Sequence, residues 1–362
     1  MSTTRSYIPR LLVSLGIVAV MALPAGAAEL PKSTQNILKK LNLTPDILKG
    51  LDRELRMPAD WVKGAKKEGV VKIISSWDPK QFRVLSKPFK ERYPYIRISH
   101  SRASFNARVI KPLIAFKEGR YIADLLTGIN SVIFQFKDAK ALEDLRVLPN
   151  FSNLPKEVQA PDGLWIGSRF RYWCMAYNTK LVKKSELPKT WEDILTNRRW
   201  RNKKLGVANR PQLWLQMLWG AKGADWAKDY MRKLLTEVKP QFRKEGTNAL
   251  ISLVIAGEFD AAIPSAAYRT KQYVAKGAPI GWHCPEPIPL SVSAMGMLRG
   301  SPNGNAAMMF SNWFLSKEGQ ISQFLANGSP PVHKDLQDKR FLSFPDEIHG
   351  KKIAFRGPEL EE

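Results

Sequence analysis

The sequence predicts an α/β protein of two domains. Two blocks in which short apolar strands alternate with amphipathic helices carry that prediction. Length supports it, because a chain of 362 residues exceeds what one apolar core ordinarily serves. A third observation sits at the start. Residues 1–10 hold Arg5 and Arg10 and no acid, residues 11–23 are apolar, and Pro24 precedes Ala25-Gly26-Ala27-Ala28. This order of basic, short apolar and small residues is that of a secretory signal peptide, residues 1–28, cut near Ala27 or Ala28. The apolar run is too short to span a bilayer, and no cysteine follows it to accept a lipid. The mature chain is expected to be exported.

Residues 29–56 read as a helical lead-in, with Leu38, Leu41 and Leu43, then Ile47, Leu48 and Leu51, grouped on either side of Thr44-Pro45. A helix over 61–69, stopped by Gly69, leads into strand 70–75. Helix 82–93, strand 95–100, helix 105–118 and strand 122–127 continue the alternation, and Pro112 is expected to kink the third helix. The strands of such a block are expected to be parallel. A second block starts after Tyr177-Asn178-Thr179. Thr190-Trp191-Glu192-Asp193 has the spacing of a capping box, 204–208 reads as a strand, and 212–233 as one or two Trp-rich helices. Thr247 is expected to cap a helix over 248–256 that Gly257 ends, with a strand over 259–263. Pro-rich residues 282–289 read as extended, followed by strand 291–298 and helices 305–315 and 318–325.

The formal net charge is +24, and +22 (24 − 2) once Arg5 and Arg10 leave with the signal. Lys and Arg are spread along the chain with no basic tail and no nucleic-acid module, so nucleic acid is not an expected partner. Anionic surfaces or small anionic ligands suit such a balance. Two cysteines, Cys174 and Cys284, have neither CxxC redox nor zinc spacing. GxSxG, GxxxxGK[ST], GxGxxG and HExxH are all absent, and the four histidines lie far apart. Nothing in the sequence argues for an enzyme, a cofactor or a resident metal.

Several segments resemble one family. They are Ala65-Lys66-Lys67-Glu68-Gly69-Val70-Val71, then Tyr177-Asn178-Thr179-Lys180-Leu181-Val182 with Leu187-Pro188-Lys189-Thr190-Trp191-Glu192-Asp193. Ala256-Gly257-Glu258-Phe259-Asp260-Ala261-Ala262, Pro302-Asn303, and Asn312-Trp313-Phe314-Leu315-Ser316-Lys317-Glu318-Gly319-Gln320 follow in order. Together they are similar to periplasmic solute-binding proteins of ABC importers, in the branch that includes ferric-ion, thiamine, phosphonate and polyamine binders. The resemblance covers residues 61–335. It implies a type II fold of two α/β lobes with hinge strands between them: lobe 1 over 57–172 plus 286–345, lobe 2 over 173–285, and a C-terminal tail over 346–362. Residues 170–177 and 282–289 would cross between the lobes and bring Cys174 near Cys284, a possible disulfide. The implied function is capture of a small molecule in the interlobe cleft by a monomer that delivers it to a membrane permease.

Ligands in such clefts meet strand carboxyl ends and helix N-termini. In the first lobe that selects Ser76 and Trp77, then Arg102 and Ser104; in the second, Arg210, Thr247 and Tyr268. Ser168-Arg169-Phe170-Arg171 resembles the family's Ser-Gly-Arg element imperfectly, and either arginine could hold an anion. Alternation along a strand puts Arg169, Arg171 and Trp173 on one face. Ferric binders of this branch carry adjacent tyrosines where this chain reads Ala266-Ala267-Tyr268-Arg269, a single tyrosine beside an arginine. An organic anion therefore fits better than ferric ion, for which Tyr268 would be the ligand. Ferric-ion uptake stays as the alternative, and a secreted hydrolase or lyase on the same fold is a further one.

Overall fold

The computed structural model describes residues 30–104 and 106–357, and the predicted signal sequence lies outside them. Among the described residues no helix is long and apolar enough to cross a membrane. Ten strands organise the described residues: β1 (Val70–Ser75), β2 (Arg97–Arg102), β3 (Leu125–Thr127), β4 (Ile166–Asn178), β5 (Leu205–Ala208), β6 (Gln241–Arg243), β7 (Ala261–Ala266), β8 (Ile280–His283), β9 (Ile288–Met297) and β10 (Ile353–Arg356). Their hydrogen-bonded order is β2-β1-β3-β9-β4-β7-β5-β6, with β10 on β9 and β8 on β4.

β1 is parallel to β2 and β3, and β5 is parallel to β6 and β7. The all-parallel expectation fails at the centre. β9 runs antiparallel to β3 and to β4, and β4 runs antiparallel to β7 and β8. The reason is connectivity: β4 and β9 run between the two blocks in opposite directions, so they lie antiparallel to one another and to the block strands beside them.

Two principal cores lie on either side of that crossing. The first draws on residues from Ala65 to Phe170 and from Leu290 to Val332; the second draws on Trp173 to Ile288 and adds Ile348 and Ala354 from the C-terminal segment. A third, smaller cluster holds Ala176, Leu250, Ile251, Val254 and Phe259. The cores change hands between Phe170 and Trp173 on β4 and between Ile288 and Leu290 on β9, which makes this a two-lobed α/β fold with a strand hinge. The C-terminal segment contributes strand β10, an element its sequence did not announce.

Local chemistry sets most boundaries. Gly69 ends helix Ala59–Glu68 at φ 63°, and Gly257 ends helix Thr247–Ala256 at φ 82°, left-handed positions where glycine carries no Cβ penalty. Thr190 accepts from Asp193 N at 3.2 Å while Asp193 Oδ2 accepts from Thr190 N at 2.9 Å, closing the predicted capping box. Thr247, in contrast, is the first helical residue; Gly246 is the N-cap, so the predicted Thr247 cap does not form. The single helix predicted over 82–93 is two, Pro79–Leu85 and Lys87–Arg92, because Pro88 has no N–H to continue the first. Pro112 acts likewise: ahead of helix Lys111–Lys117 the chain winds as a π-helical turn over Asn106–Ile110.

The lead-in forms helix Lys32–Lys40, a 3₁₀ turn Pro45–Leu48 and helix Leu51–Glu54. Charge fixes it to the first lobe. Thr34 Oγ1 donates to Glu318, which also receives Arg92 Nε at 2.7 Å and Trp313 Nε1 at 2.8 Å. Glu54 receives Lys317 N at 2.8 Å, with Lys317 Nζ 3.3 Å away.

Candidate functional site: an arginine cluster at the hinge

Arg169 and Arg171 leave β4 at the point where the two cores meet. A β-bulge between Gly167 and Arg169 re-aims this part of the strand. The bulge is held rather than merely tolerated: Ser168 Oγ donates to Ser293 O at 2.7 Å, and Ser168 O accepts from Gln323 Nε2 at 3.1 Å. Phe170 N donates to Pro330 O at 3.1 Å, which ties the next residue to the turn after helix Lys317–Asn327.

The Arg169 side chain is buried, and Nη2 donates to Ser76 Oγ at 3.2 Å. Its guanidinium carbon lies 5.6 Å from the Trp77 ring centroid and 5.7 Å from that of Tyr268. Ser76 and Trp77 follow β1 in the first lobe, while Tyr268 is in the first turn of helix Ala267–Val274 after β7 in the second. Arg169 therefore touches both lobes. Arg171 Cζ lies 5.5 Å from the Trp173 ring, the i, i+2 contact that one strand face dictates. Nε of Arg169 and of Arg171 are both buried without a hydrogen-bond partner. Among the described residues neither arginine has a carboxylate partner.

Arg108 joins them, a residue that sequence reasoning missed. It lies in the π-helical turn, donates from Nη1 to Ala103 O at 3.1 Å, and passes over Gly128. Gly128, at φ +70°, follows β3, and a Cβ there would meet Arg108 Nη2 at 3.3 Å. The three cations act on one another. Burial, then the field of Arg169, lowers the Arg108 pKa to about 10, and burial followed by Arg169 lowers Arg171 to about 10, with Arg108 adding to it and Tyr268 opposing. Burial also lowers Arg169. Arg108 and Arg171 still carry charge at neutral pH. Burial and a neighbouring like charge both disfavour the ionised guanidinium, which is why these shifts run downward.

The remaining predicted residues are placed differently. Trp77 is buried among Phe82 and Phe314 and offers its ring to Arg169. Trp173 sits in the second core with Nε1 on Ser291 Oγ at 2.9 Å, so its ring supports Arg171 from the core side. Arg102 is exposed and lies 3.9 Å from Asp78, and Ser104 is exposed. Arg210 is exposed after β5, and Thr247 is half-buried at its helix start. No hydrogen bond joins Arg102, Ser104, Arg210 or Thr247 to Arg169 or Arg171 among the described residues. Beside Arg210, Asn209 and Phe242-Arg243-Lys244-Glu245 line a surface concavity at the carboxyl ends of β5 and β6. Cys174 on β4 and Cys284 after β8 are disulfide-bonded, Cα atoms 5.1 Å apart.

Among the described residues one group of potential metal ligands, Glu54, His333 and Asp335, lies in the first lobe. Lys317 Nζ already stands 3.3 Å from Glu54 and 3.1 Å from Asp335, so an ammonium supplies the positive charge there.

The sequence model of the bacterial extracellular solute-binding protein family matches residues 76–321, more than half of the chain. The chain belongs to that family. Solved structures agree on the fold of this solute-binding protein. Iron-bound HitA from Pseudomonas aeruginosa is 20% identical with a TM-score of 0.61, over 73% of this chain and 87% of that one. An ABC transporter substrate-binding protein from Bradyrhizobium japonicum is 16% identical with a TM-score of 0.66, over 80% and 94%. The ferric binding protein from Campylobacter jejuni is 21% identical with a TM-score of 0.64, over 78% and 92%. At these identities the likeness speaks for the two-lobed fold.

Proposed function

We propose that this solute-binding protein captures a small organic anion between its lobes and delivers it, as a periplasmic monomer, to the membrane permease of an ABC importer. The observation that carries this is the pairing of Arg169 and Arg171, side by side at the hinge with no carboxylate partner among the described residues. A guanidinium fork matches carboxylate or phosphonate oxygens, at about 1.5–3 kcal/mol per charged hydrogen bond. Ser76 and Trp77 from lobe 1 and Tyr268 from lobe 2 would close around the head group, with Arg102, Ser104, Arg210 and Thr247 at the rim. The lobes would cover 57–172 plus 286–345 and 173–285; the two principal cores support this division except at Ile288, Ile348 and Ala354, which pack with the second. Because Arg169 already touches Tyr268, a bound anion would draw the lobes together, and the permease would read the closed population.

Iron-bound HitA and the Campylobacter jejuni ferric binding protein, similar in fold, favour a second reading, ferric-ion binding. Against it, Tyr268 faces a cationic guanidinium, and Arg269 follows it and bonds to Gln272 at 2.7 Å. A thermal-shift panel decides, setting organic anions against ferric ion with and without a synergistic anion, thiamine and polyamines. An anion at one hundred times its Kd raises stability by about 2.7 kcal/mol. That gain should vanish in the R169A/R171A variant. Stabilisation by ferric ion or a cation alone, unchanged in that variant, overturns the anion assignment. Turnover of the bound anion would instead place the protein among hydrolases or lyases.

A further inference from the structure

One end of the second lobe's sheet carries a basic pole that the cleft residues do not use. β4 ends there while β5, β7 and β8 begin there, since Leu205 and Tyr177 both pair with Ala261, and Asn178 pairs with Ile280. Tyr268, after the far end of β7, marks the opposite end. We propose that this pole docks on a bilayer of anionic phospholipids and holds the protein at the membrane whatever occupies the cleft. Two connections build it: residues 179–190 after β4, with Lys180, Lys183 and Lys184, and residues 197–204 before β5, with Arg198, Arg201 and Lys203. All but Arg201 are exposed, and among the described residues none of the six is in an ion pair with a carboxylate. The nearby acids are already engaged: Glu186 and Asp260 receive Arg199 at 2.7 Å and 3.1 Å, Lys204 stands 3.7 Å from Asp260, and Glu258 lies 3.7 Å from Arg243. Arg199 also donates to Leu181 O, which ties the two connections together. Trp200 anchors the second connection in the core, and Asn202 and Lys203 follow in left-handed backbone, φ 55° and 62°, a conformation that L-residues adopt at a cost. That turn leaves Lys203 in solvent. Leu181, 45% exposed, stands in sequence among the three lysines. An exposed leucine within a cationic loop suits a bilayer, where the apolar side chain enters the headgroup layer and ammonium groups meet lipid phosphates. A nucleic acid offers no such layer.

Each Lys or Arg close to an anionic leaflet strengthens binding by about fivefold, so removing three should weaken it by about a hundredfold. The exported protein is floated with vesicles of phosphatidylcholine alone and with vesicles in which phosphatidylglycerol replaces one third of that lipid. Wild type is compared with K180Q/K183Q/K184Q and with K63Q/K66Q/K67Q, which removes equal charge from exposed positions of helix Ala59–Glu68 in the first lobe. R198Q/K203Q replaces the second-lobe variant should its melting temperature show that it fails to fold. Wild type should bind the anionic vesicles only, the second-lobe variant should bind about a hundredfold more weakly, and the first-lobe variant should stay within about fivefold of wild type. Binding should also fall between about 0.1 M and about 1 M salt, where the screening length shrinks from about 10 Å to about 3 Å. Free glycerol phosphate should not displace the protein, because a surface of many headgroups is what the pole meets. Equal losses in the two variants, equal binding to both vesicles, or binding to neither overturns the proposal, the last leaving an acidic protein as the pole's partner. Displacement by glycerol phosphate also overturns it, in favour of a site for one headgroup.

Discussion

Glu318 is the acceptor on which three separate elements converge, and replacing it by alanine tests how the lead-in is held. Its carboxylate is fully buried and receives Arg92 Nε at 2.7 Å, Arg92 Nη2 at 2.9 Å, Trp313 Nε1 at 2.8 Å and Thr34 Oγ1. Removing one partner of a buried ion pair costs about 3–5 kcal/mol, because the other charge stays behind without compensation. Arg92 keeps a side-chain exposure of 16%, which lets water recover part of that cost and puts the expected loss near the lower bound. With an unfolding entropy of about 2.1 cal/mol/K per residue, a body of roughly 330 residues loses about 1.4 °C per kcal/mol, so a loss of about 3 kcal/mol should lower the E318A melting temperature by about 4 °C. Differential scanning calorimetry measures this directly. A double-mutant cycle with R92M adds the second check, since the double variant should lose less than the sum of the two single variants. The reasoning fails if E318A melts within 1 °C of wild type, or if the two substitutions add without coupling.

Reduction of the Cys174–Cys284 bridge opens a loop of sequence separation 110, for which chain entropy gives about 4.7 kcal/mol at a loop of about 100 residues. The C174S/C284S variant should therefore melt several degrees below wild type, and equal melting by calorimetry under non-reducing conditions would remove the bridge as a stabilising element. His100, stacked on Phe82 at 3.7 Å with Nε2 2.7 Å from Ser75 Oγ, has its pKa lowered by burial to about 4. Its neutral form is the one the fold accommodates, so the stability it contributes is present above pH 6.5 and is lost as pH falls from 6.5 towards 4. The H100Q variant should show a flatter melting-temperature profile across that window; a profile parallel to wild type would contradict the assignment. Glu54 is pushed up by burial but pulled down further by His333 and by the Lys317 N–H and ammonium, for a net lowering. Its contribution is therefore present above the ordinary carboxylate pKa of 4.5 and lost at lower pH, and E54Q should remove that acid-limb loss from the wild-type melting curve.

What sequence could and could not disclose follows from the range of the forces involved. Period, caps and stop residues act over a few residues, and they located β1, the Thr190 capping box and the Gly69 and Gly257 stops. The same local signals put Arg169 and Arg171 on one strand face, an alternation that both contacts to neighbouring rings reflect. Arg108 was hidden because its position depends on a defect: the apolar face Phe105, Val109, Leu113 and Phe116 suggests a regular helix with Arg108 off it, whereas Pro112 forces the π-helical turn that carries Arg108. The one available signal was that proline, and it indicates a kink without a direction. Trp173 went the other way, an aromatic assigned to the cleft that the second core absorbs, because burial depends on which strand pairs beyond it: Ala266 of β7, far away in sequence. Arg102 is exposed because strand β2 runs two residues further than its apolar alternation and ends on it at the sheet edge. Charge is legible as composition but its placement is tertiary. Among the described residues Arg108, Arg169 and Arg171 have their pKa lowered by burial, and that lowering follows from their tertiary surroundings, not from the number of cations in the sequence.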